Sequence, residues 1–549
     1  MSRSSPKARA WRSAAVLLAV LAVLASACSR VEVQAPDGAT SDSLADEGAP
    51  QDGGTLVVGV FQETSGWNPT YDRWAQMGAV VGSTVLEPLA ALDANGVAQP
   101  WLATSWTPNG DFTSWTLELR QGVTFHDGTA FDAAAVKANV EDNLTSVLSS
   151  FALRKLLGGA TVLGPHTVRV DLQTPWSAFP VAFLASQGAM QRSPTTLGPA
   201  GTASNHPVGT GPFVFKDWAR DHTFVAERNP SYWRPGEPHV DRLELRVITE
   251  DGARASALRA NDVDMMFTVS ARDATDLDGA STVVRDWDTE QTMLVANTRP
   301  MVGDHVNPMS DIHGRRAIAM ATDRRVVADL VGPGLQLYDG PFSPDSPWGM
   351  PDAESEYPDH DPDGARREVA AYLQASGQPE MHVQLLGYPD TSTSAILQAL
   401  QAQWAEVGIT SSVTSVDAAS FQQGLIGSAY DLALTAPYSA PDPDQDFVFW
   451  SVDNVGDYGK LSVNFSGFAN ETTERLMRES RTTADPVRRH DLFTQLVREF
   501  NRNLTSIWLY ATPFSLVAGP QVHGLKAVAA VPFANYQPKT WWGQLWLAR

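Results

Sequence analysis

Two short stretches of the chain have residue types and spacing that could do chemistry. Gly209-Thr210-Gly211 resembles the start of a phosphate-binding loop, and His126 stands beside Asp127 as in a general-base pair. Pro212, which has no N–H group, follows the glycines, and a strand pattern comes next where a phosphate loop needs a helix. We therefore predict a β-hairpin with a tight entry turn. The His126 pair lies in a strand–turn–helix junction with no nucleophile nearby, which argues against catalysis.

A third stretch, the sequence DHDPDG at 359–364, places carboxylates at every second position, as a calcium loop does. Its twelfth position is Ala370 instead of glutamate, and Pro362 lies inside it. We therefore predict that Asp361 or Asp363 caps a helix. The 11 histidines are scattered, and the sequence has no zinc-protease pair, G-x-S-x-G elbow or complete phosphate loop. We expect no metal site, no cofactor and no enzymatic activity.

Cys28 is the only cysteine and follows a basic stretch and an apolar stretch that together predict an export signal. The small residues ASA lead directly into it, an arrangement that resembles a bacterial lipoprotein signal. That resemblance implies removal of residues 1–27 and a lipid on Cys28, which anchors the protein at the extracytoplasmic face of the cell membrane. The polar, acidic residues 28–52 are predicted to be a flexible tether.

Acidic residues dominate the charge of the chain. The formal net charge is −22, and loss of the four basic residues in 1–27 changes it to 36 − 62 = −26. Such a surface repels phosphate backbones and anionic headgroups, so we expect no nucleic-acid partner and no electrostatic membrane adhesion.

The elements that would position a site have an α/β pattern. A first strand is predicted from Thr55, a helix capped by Asp132 from Ala133, and a hairpin from two strands at 213–218 and 222–228. At 549 residues, the chain exceeds what one hydrophobic core supports.

A β-α-β-α-β pattern occupies residues 382–436 and predicts a parallel sheet covered by helices. Its first helix presents Leu397, Leu400, Trp404 and Val407 on one face and ends at Gly408. A second helix follows the cap Asp417, and two amphipathic helices flank Asp485-Pro486 further along the chain.

Six stretches of the sequence occur in a specific order along the chain: 53–60, 101–141, 207–233, 258–266, 295–331 and 357–377. Together they resemble the extracytoplasmic solute-binding proteins that serve peptide, dipeptide and nickel ABC importers. The resemblance runs from about residue 53 to the C-terminus. It implies a two-lobed, periplasmic-binding-protein-like clamshell with an extra subdomain inserted in the first lobe, and crossing segments near 280–295 and 505–515 as its hinge.

The implied division of the chain has five parts: a signal at 1–27; a tether at 28–52; a first-lobe core at 53–85, 206–285 and 512–549; an inserted subdomain at 86–205; and a second lobe at 286–511. The implied partners are a peptide or other small solute and an ABC permease with its cytoplasmic ATPase. The protein is expected to be a monomer.

The resemblance also implies a set of solute-binding residues between the lobes: Trp67, Trp287, Asn297, Arg299, Tyr388, Tyr438, Ser439 and Asp442. In the family's peptide binders, an aspartate before a DPD run pairs with the peptide ammonium. Counting back from Asp442-Pro443-Asp444 places Ser439 at that position. Either Asp442 replaces the clamp or the clamp is absent, which leaves blocked peptides, sugars or other solutes open. A signalling receptor and an extracellular hydrolase are the alternatives from other classes.

Overall fold

Strands and helices alternate along most of the chain in the computed structural model of the protein. The structure describes residues 47–72, 74, 76–146, 153, 155–198, 202–286, 290–388, 391–437, 440–525 and 540–548. The strands, in chain order, are β1 (Thr55–Val60), β2 (Ala90–Leu92), β3 (Ala98–Pro100), β4 (Ala103–Pro108), β5 (Ser114–Leu119), β6 (Leu157–Gly164), β7 (Thr167–Leu172), β8 (Phe213–Ala219), β9 (Thr223–Arg228), β10 (Arg242–Val247), β11 (Met265–Thr268), β12 (Thr282–Asp286), β13 (Gln291–Ala296), β14 (Met301–Val302), β15 (His305–Val306), β16 (Met381–Gly387), β17 (Ile409–Ser415), β18 (Leu432–Thr435), β19 (Ser506–Ala511), β20 (Phe514–Ala518), β21 (Val522–His523) and β22 (Trp546–Leu547).

Three helices begin at caps that the sequence predicts. Side chains of Asp132, Asp361 and Asp485 accept backbone N–H groups at the helix starts, which satisfies donors that have no partner within the helix. The α-helices are α1 (Gln76–Gly82), α2 (Ala133–Thr145), α3 (Asp251–Arg259), α4 (Ala271–Asp276), α5 (Ile312–Ala321), α6 (Arg324–Val331), α7 (Pro362–Ser376), α8 (Thr391–Glu406), α9 (Ala418–Ile426), α10 (Glu471–Ser480) and α11 (Pro486–Asn503).

A seven-stranded sheet with the order β12-β20-β11-β1-β10-β9-β8 forms the base of the first lobe. Strand β1 lies parallel to β10 and β11, and β8 and β9 form the predicted antiparallel hairpin. One face packs into the largest apolar core, and the other is covered by α3 and α4. A four-stranded sheet, β4-β5-β7-β6, shares that largest core. We call residues 103–198, which contain this sheet and α2, the four-stranded subdomain.

A five-stranded sheet with the order β17-β16-β18-β13-β19 forms the second lobe. Its three consecutive strands β16, β17 and β18 are parallel, as the β-α-β-α-β pattern predicts. Alternate residues of β13 enter different cores: Leu294 packs with α5 to α8, and Met293 packs with α9 to α11. Both faces of this sheet are therefore covered by helices.

The glycine pair of the hairpin serves a close backbone approach. Gly209 and Gly211 do not have positive φ angles, but a Cβ atom added to either would collide with the backbone of Val85. The N–H of Gly211 donates to the carbonyl of Val85 at 3.0 Å. The prediction of a hairpin is confirmed, but the reason for the glycines is the absence of a side chain.

Glu87 ties this region together from inside the core. Its carboxylate is buried and accepts hydrogen bonds from Trp101, Thr210, Tyr232 and Trp233, with donor–acceptor distances of 2.7–3.0 Å. Burial raises the pKa of Glu87, while these four donors oppose the rise by stabilising the carboxylate. The contact joins the segment before β2 to the hairpin and its following loop.

Candidate functional site

The carboxyl ends of the parallel strands in both lobes lie at the place where the chain crosses between the lobes. In the first lobe, Thr268 at the end of β11 pairs with Ser515 near the start of β20. In the second, Thr435 at the end of β18 pairs with Met293 near the start of β13. Because β12 leads to β13 and β19 leads to β20, both crossings leave from these edges. Solutes of open α/β sheets bind in crevices at such edges.

The two crossing segments are hydrogen-bonded to each other. The hydroxyl oxygens of Thr292 and Thr512 are 2.9 Å apart, and the N–H of Thr512 donates to the carbonyl of Glu290 at 2.9 Å. Only Thr512 and Pro513 separate β19 from β20. Short paired connections of this kind let two lobes rotate while each keeps its own sheet.

Away from the crossings, the four-stranded subdomain contacts the second lobe directly. The indole N–H of Trp176 donates to Oδ1 of Asp444 at 2.8 Å, and both groups are buried. The N–H of Ser177 donates to the carbonyl of Arg481 at 2.9 Å, and the amide of Gln445 donates to the carbonyl of Ala182 at 3.2 Å. The two lobes are therefore in contact at this rim, through hydrogen bonds and through the Arg481 guanidinium, which lies over the Trp176 ring.

Two of the second-lobe residues at this rim, Asp444 and Gln445, belong to a 3₁₀ helix, Pro443–Phe449, that follows β18, and Arg481 directly follows α10. Asp442 caps the helix, accepting the N–H of Asp444 at 3.0 Å. The two outer nitrogens of Arg489 donate to the two oxygens of Asp442 at 2.7 and 2.8 Å. Arg481 forms a second fork with Asp444, at 2.9 and 3.0 Å. Both carboxylates are thus paired within the second lobe.

Tyr388, one of the predicted solute-binding residues, lies at the same edge as this helix. It directly follows β16, and its ring stacks on Phe421 with centroids 4.0 Å apart. Tyr388 and Asp442 are therefore both at the carboxyl edge of the second-lobe sheet, where a solute between the lobes would lie.

Asn297 and Arg299 lie at the opposite edge of that sheet. Ala296, the last residue of β13, pairs with Leu432, the first of β18. The amide of Asn297 donates to the carbonyls of Ser428 and Tyr430, and its oxygen accepts from Arg299. The structure does not bring this pair together with Tyr388 and Asp442.

The guanidinium of Arg299 is engaged as well. It donates to the carbonyl of Gly456 and the hydroxyl of Ser462, and burial lowers its pKa. These contacts anchor the segment 456–465 to the end of β13. A structural role accounts for both Asn297 and Arg299, and neither is part of the site proposed below.

Trp67 lies in the core of the first lobe. Its side chain is 3% exposed and packs against Trp218 and Phe224, with ring centroids 5.5 and 4.5 Å away. The next residue, Asn68, accepts a hydrogen bond from Arg192 at 2.7 Å, and Arg192 also pairs with Asp142. The loop after β1 is thereby fixed to the four-stranded subdomain, with the Trp67 indole turned into apolar packing.

The remaining predicted residues, Trp287, Tyr438, Ser439 and the lipidation residue Cys28, lie outside the described residues. Their roles stay predictions.

His126 and Asp127, which resemble a general-base pair in the sequence, each form contacts that hold the fold together. His126 is partly buried, its Nε2 lies 3.0 Å from the carbonyl oxygen of Gly211, and desolvation of the ring lowers its pKa to about 4. Asp127 accepts the hydroxyl hydrogens of Ser193 and Thr195. Within the described ranges, no three His, Cys, Asp or Glu side chains are grouped as metal ligands would be. Over those same ranges, no helix is both long enough and apolar enough to span a bilayer.

The profile of the family described as "Bacterial extracellular solute-binding proteins, family 5 Middle" matches residues 97–459, which is more than half of the chain. The chain belongs to this family. Family 5 proteins are extracytoplasmic, bind peptides or small solutes and work with ABC permeases. This family 5 protein has the two-lobed fold that its sequence predicts, and it functions as the substrate-binding component of an ABC importer.

Named relatives agree with that assignment. The glutathione-binding protein GsiB of Shigella flexneri is 25% identical over 485 residues, which cover 83% of this chain and 92% of GsiB. The solved structure of AgaA from A. tumefacien R10 in complex with agropinic acid has a TM-score of 0.77 at 24% identity, covering 90% of this chain and 99% of AgaA. That of DppA from Helicobacter pylori in complex with the peptide STSA also has a TM-score of 0.77, at 18% identity, covering 91% and 99%. Both structures are evidence for the fold alone.

Proposed function

We propose that this family 5 protein captures a peptide or peptide-like solute between its lobes and presents the closed form to a permease. The observation that supports this most is the convergence of both carboxyl edges on two short crossings, with polar groups joining the lobes at the rim. GsiB and DppA are described with peptide ligands, and an extended peptide offers backbone groups that a sheet edge can pair with.

A non-peptide solute is the second candidate, and one observation favours it. Asp442 is the nearest aspartate to the position of the family's ammonium clamp, and Arg489 already occupies both of its oxygens. A free amino terminus therefore needs another partner in this protein. AgaA, which has the same fold, is described with agropinic acid, a solute that is not a peptide.

Lobe closure provides the test. The purified protein is mixed with a pool of synthetic tripeptides, and its radius of gyration is measured by small-angle X-ray scattering. We expect closure on a bound peptide to reduce the radius of gyration, and a matched pool of sugars to leave it unchanged. The reverse pattern, with sugars or opine-like acids closing the lobes and peptides inert, contradicts the peptide assignment.

We further propose that the protein is a monomer held at the membrane by lipid on Cys28. The motive is the export signal that ends at the only cysteine. Cys28→Ser should release the protein from the membrane fraction or leave it unprocessed. A Ser26→Ala variant, which keeps the cysteine, is the control and should stay in the membrane fraction. Fully processed, membrane-bound Cys28→Ser protein contradicts the anchor.

A further inference from the structure

The sequence Asp442-Pro-Asp-Gln-Asp446 places three carboxylates around one 3₁₀ helix, and the structure pairs two of them. Asp442 forms a fork with Arg489, and Asp444 forms a fork with Arg481 and accepts the indole N–H of Trp176. These two acids and two arginines balance in charge. The third acid, Asp446, is the exception.

Asp446 is 3% exposed, and its Oδ2 is buried with no hydrogen-bond partner in the part of the chain that the structure describes. Over the same residues it forms no ion pair. Burial, together with the nearby negative charges of Asp442 and Glu290, raises its pKa well above the usual range. Buried carboxylates are normally paired or hydrogen-bonded, because an unpaired buried charge is costly. An unsatisfied group of this kind requires an explanation.

The position of Asp446 in the fold supplies an explanation for its unpaired carboxylate. The preceding residue, Gln445, donates to Ala182 of the four-stranded subdomain, so this helix lies where the two lobes meet. Glu290, whose charge acts on Asp446, lies in the first crossing segment next to β13 and is also buried. Asp446 thus lies in a helix that follows β18 at the carboxyl edge of the second-lobe sheet and that contacts the first lobe.

We infer that Asp446 binds a positively charged group of the transported solute. This inference rests on the proposed function and narrows it to solutes that carry an ammonium or guanidinium group. Such a group donates several hydrogen bonds and restores the charge balance of the helix. The source of the cation is either the amino terminus of a peptide or a basic side chain. The net charge of −22 also attracts cationic solutes to the protein.

The first test uses the purified protein and a pool of tripeptides whose members are free or N-acetylated and contain lysine or its neutral isostere norleucine. Retained peptides are identified by mass spectrometry. We expect retention to require a cation, with the acetylated and norleucine members distinguishing the two sources. Asp446→Asn should weaken the binding of the retained peptides by about thirtyfold or more, because a buried charge pair loses one of its partners. Equal retention of neutral and cationic peptides, unchanged in Asp446→Asn, overturns the inference and leaves peptide capture intact.

A second test needs no peptide and therefore separates this inference from the proposed function. An unpaired buried carboxylate destabilises the solute-free protein, so Asp446→Asn should raise its melting temperature at neutral pH. Asp444→Asn, the matched control in the same helix, should lower it, because that carboxylate is paired. A lower melting temperature for both variants shows that Asp446 has a structural role and overturns the inference, even if no peptide binds.

Discussion

The hydrogen bond between Trp176 and Asp444 allows a direct test of lobe closure, because it joins residues of different lobes at 2.8 Å. Trp176→Phe removes the N–H donor and keeps an aromatic ring to pack against Phe179 and Phe183, whose centroids lie 5.5 and 6.2 Å from that of Trp176. If this contact forms when the lobes close, its loss weakens the closed state while each lobe stays folded.

The size of the effect follows from the partners. A hydrogen bond to a charged group contributes roughly 1.5–3 kcal/mol. Asp444 keeps the fork from Arg481, so its carboxylate is not left unsatisfied, and the lower limit applies. We therefore expect a loss of about 1.5 kcal/mol in closing free energy, which corresponds to about tenfold weaker solute binding.

Calorimetry with the tightest-binding tripeptide measures the affinity, and small-angle scattering of the solute-free protein measures the opening. Trp115→Phe is the matched control, because the Trp115 indole donates to the Trp176 carbonyl at 3.2 Å within the same subdomain. The control should lower the melting temperature and leave affinity and radius of gyration unchanged. Equal affinity losses in both variants, or no loss in Trp176→Phe, would refute the reasoning that this contact forms on closure.

Three further predictions concern stability and metal. Glu87→Gln should reduce the free energy of unfolding by about 2–4 kcal/mol, because each carboxylate oxygen accepts two hydrogen bonds and two of the four donors then face an amide NH₂ group. Urea unfolding checks this, with Glu141→Gln at an exposed position as the control. Burial raises the pKa of Asp431 to about 6, so the stability that its protonation adds is present below about pH 4 and lost as the pH rises through 6. Asp431→Asn should flatten the pH dependence of the free energy of unfolding, and an unchanged pH profile would contradict this prediction. Exhaustive chelation should leave peptide affinity unchanged, whereas a loss of more than about tenfold restored by nickel or calcium would show a metal requirement.

Local patterns in the sequence were sufficient to predict the second-lobe sheet. The hydrophobic periods of strands and helices differ, so the two can be distinguished in a sequence. An aspartate directly before a helical pattern marks the start of the helix, as Asp361 and Asp485 do here. The buried face Leu397, Leu400 and Trp404 was readable for the same reason, since it depends on residues within one helix. These features need no knowledge of distant partners.

The candidate site was harder to predict, because its contacts are between residues far apart in the chain. Trp176 and Asp444 are separated by 268 positions, and no local pattern relates them. Asn297 and Arg299 are polar residues directly after a strand, but the direction of β13 in the sheet places them at the edge away from the crossings. Asp446 differs from Asp442 and Asp444 only in lacking an arginine, which the spacing DPDQD does not show.

Native mass spectrometry of the protein purified from its own producing cells tests the central claim most directly, because it detects whatever solute the lobes have captured. Our account predicts one bound molecule per monomer, with the mass and fragments of a peptide or peptide-like compound that carries a positive charge, and its loss when the protein is unfolded and refolded. A bound molecule that yields no amino-acid fragments, or protein that remains solute-free after incubation with the tripeptide pool, would contradict it.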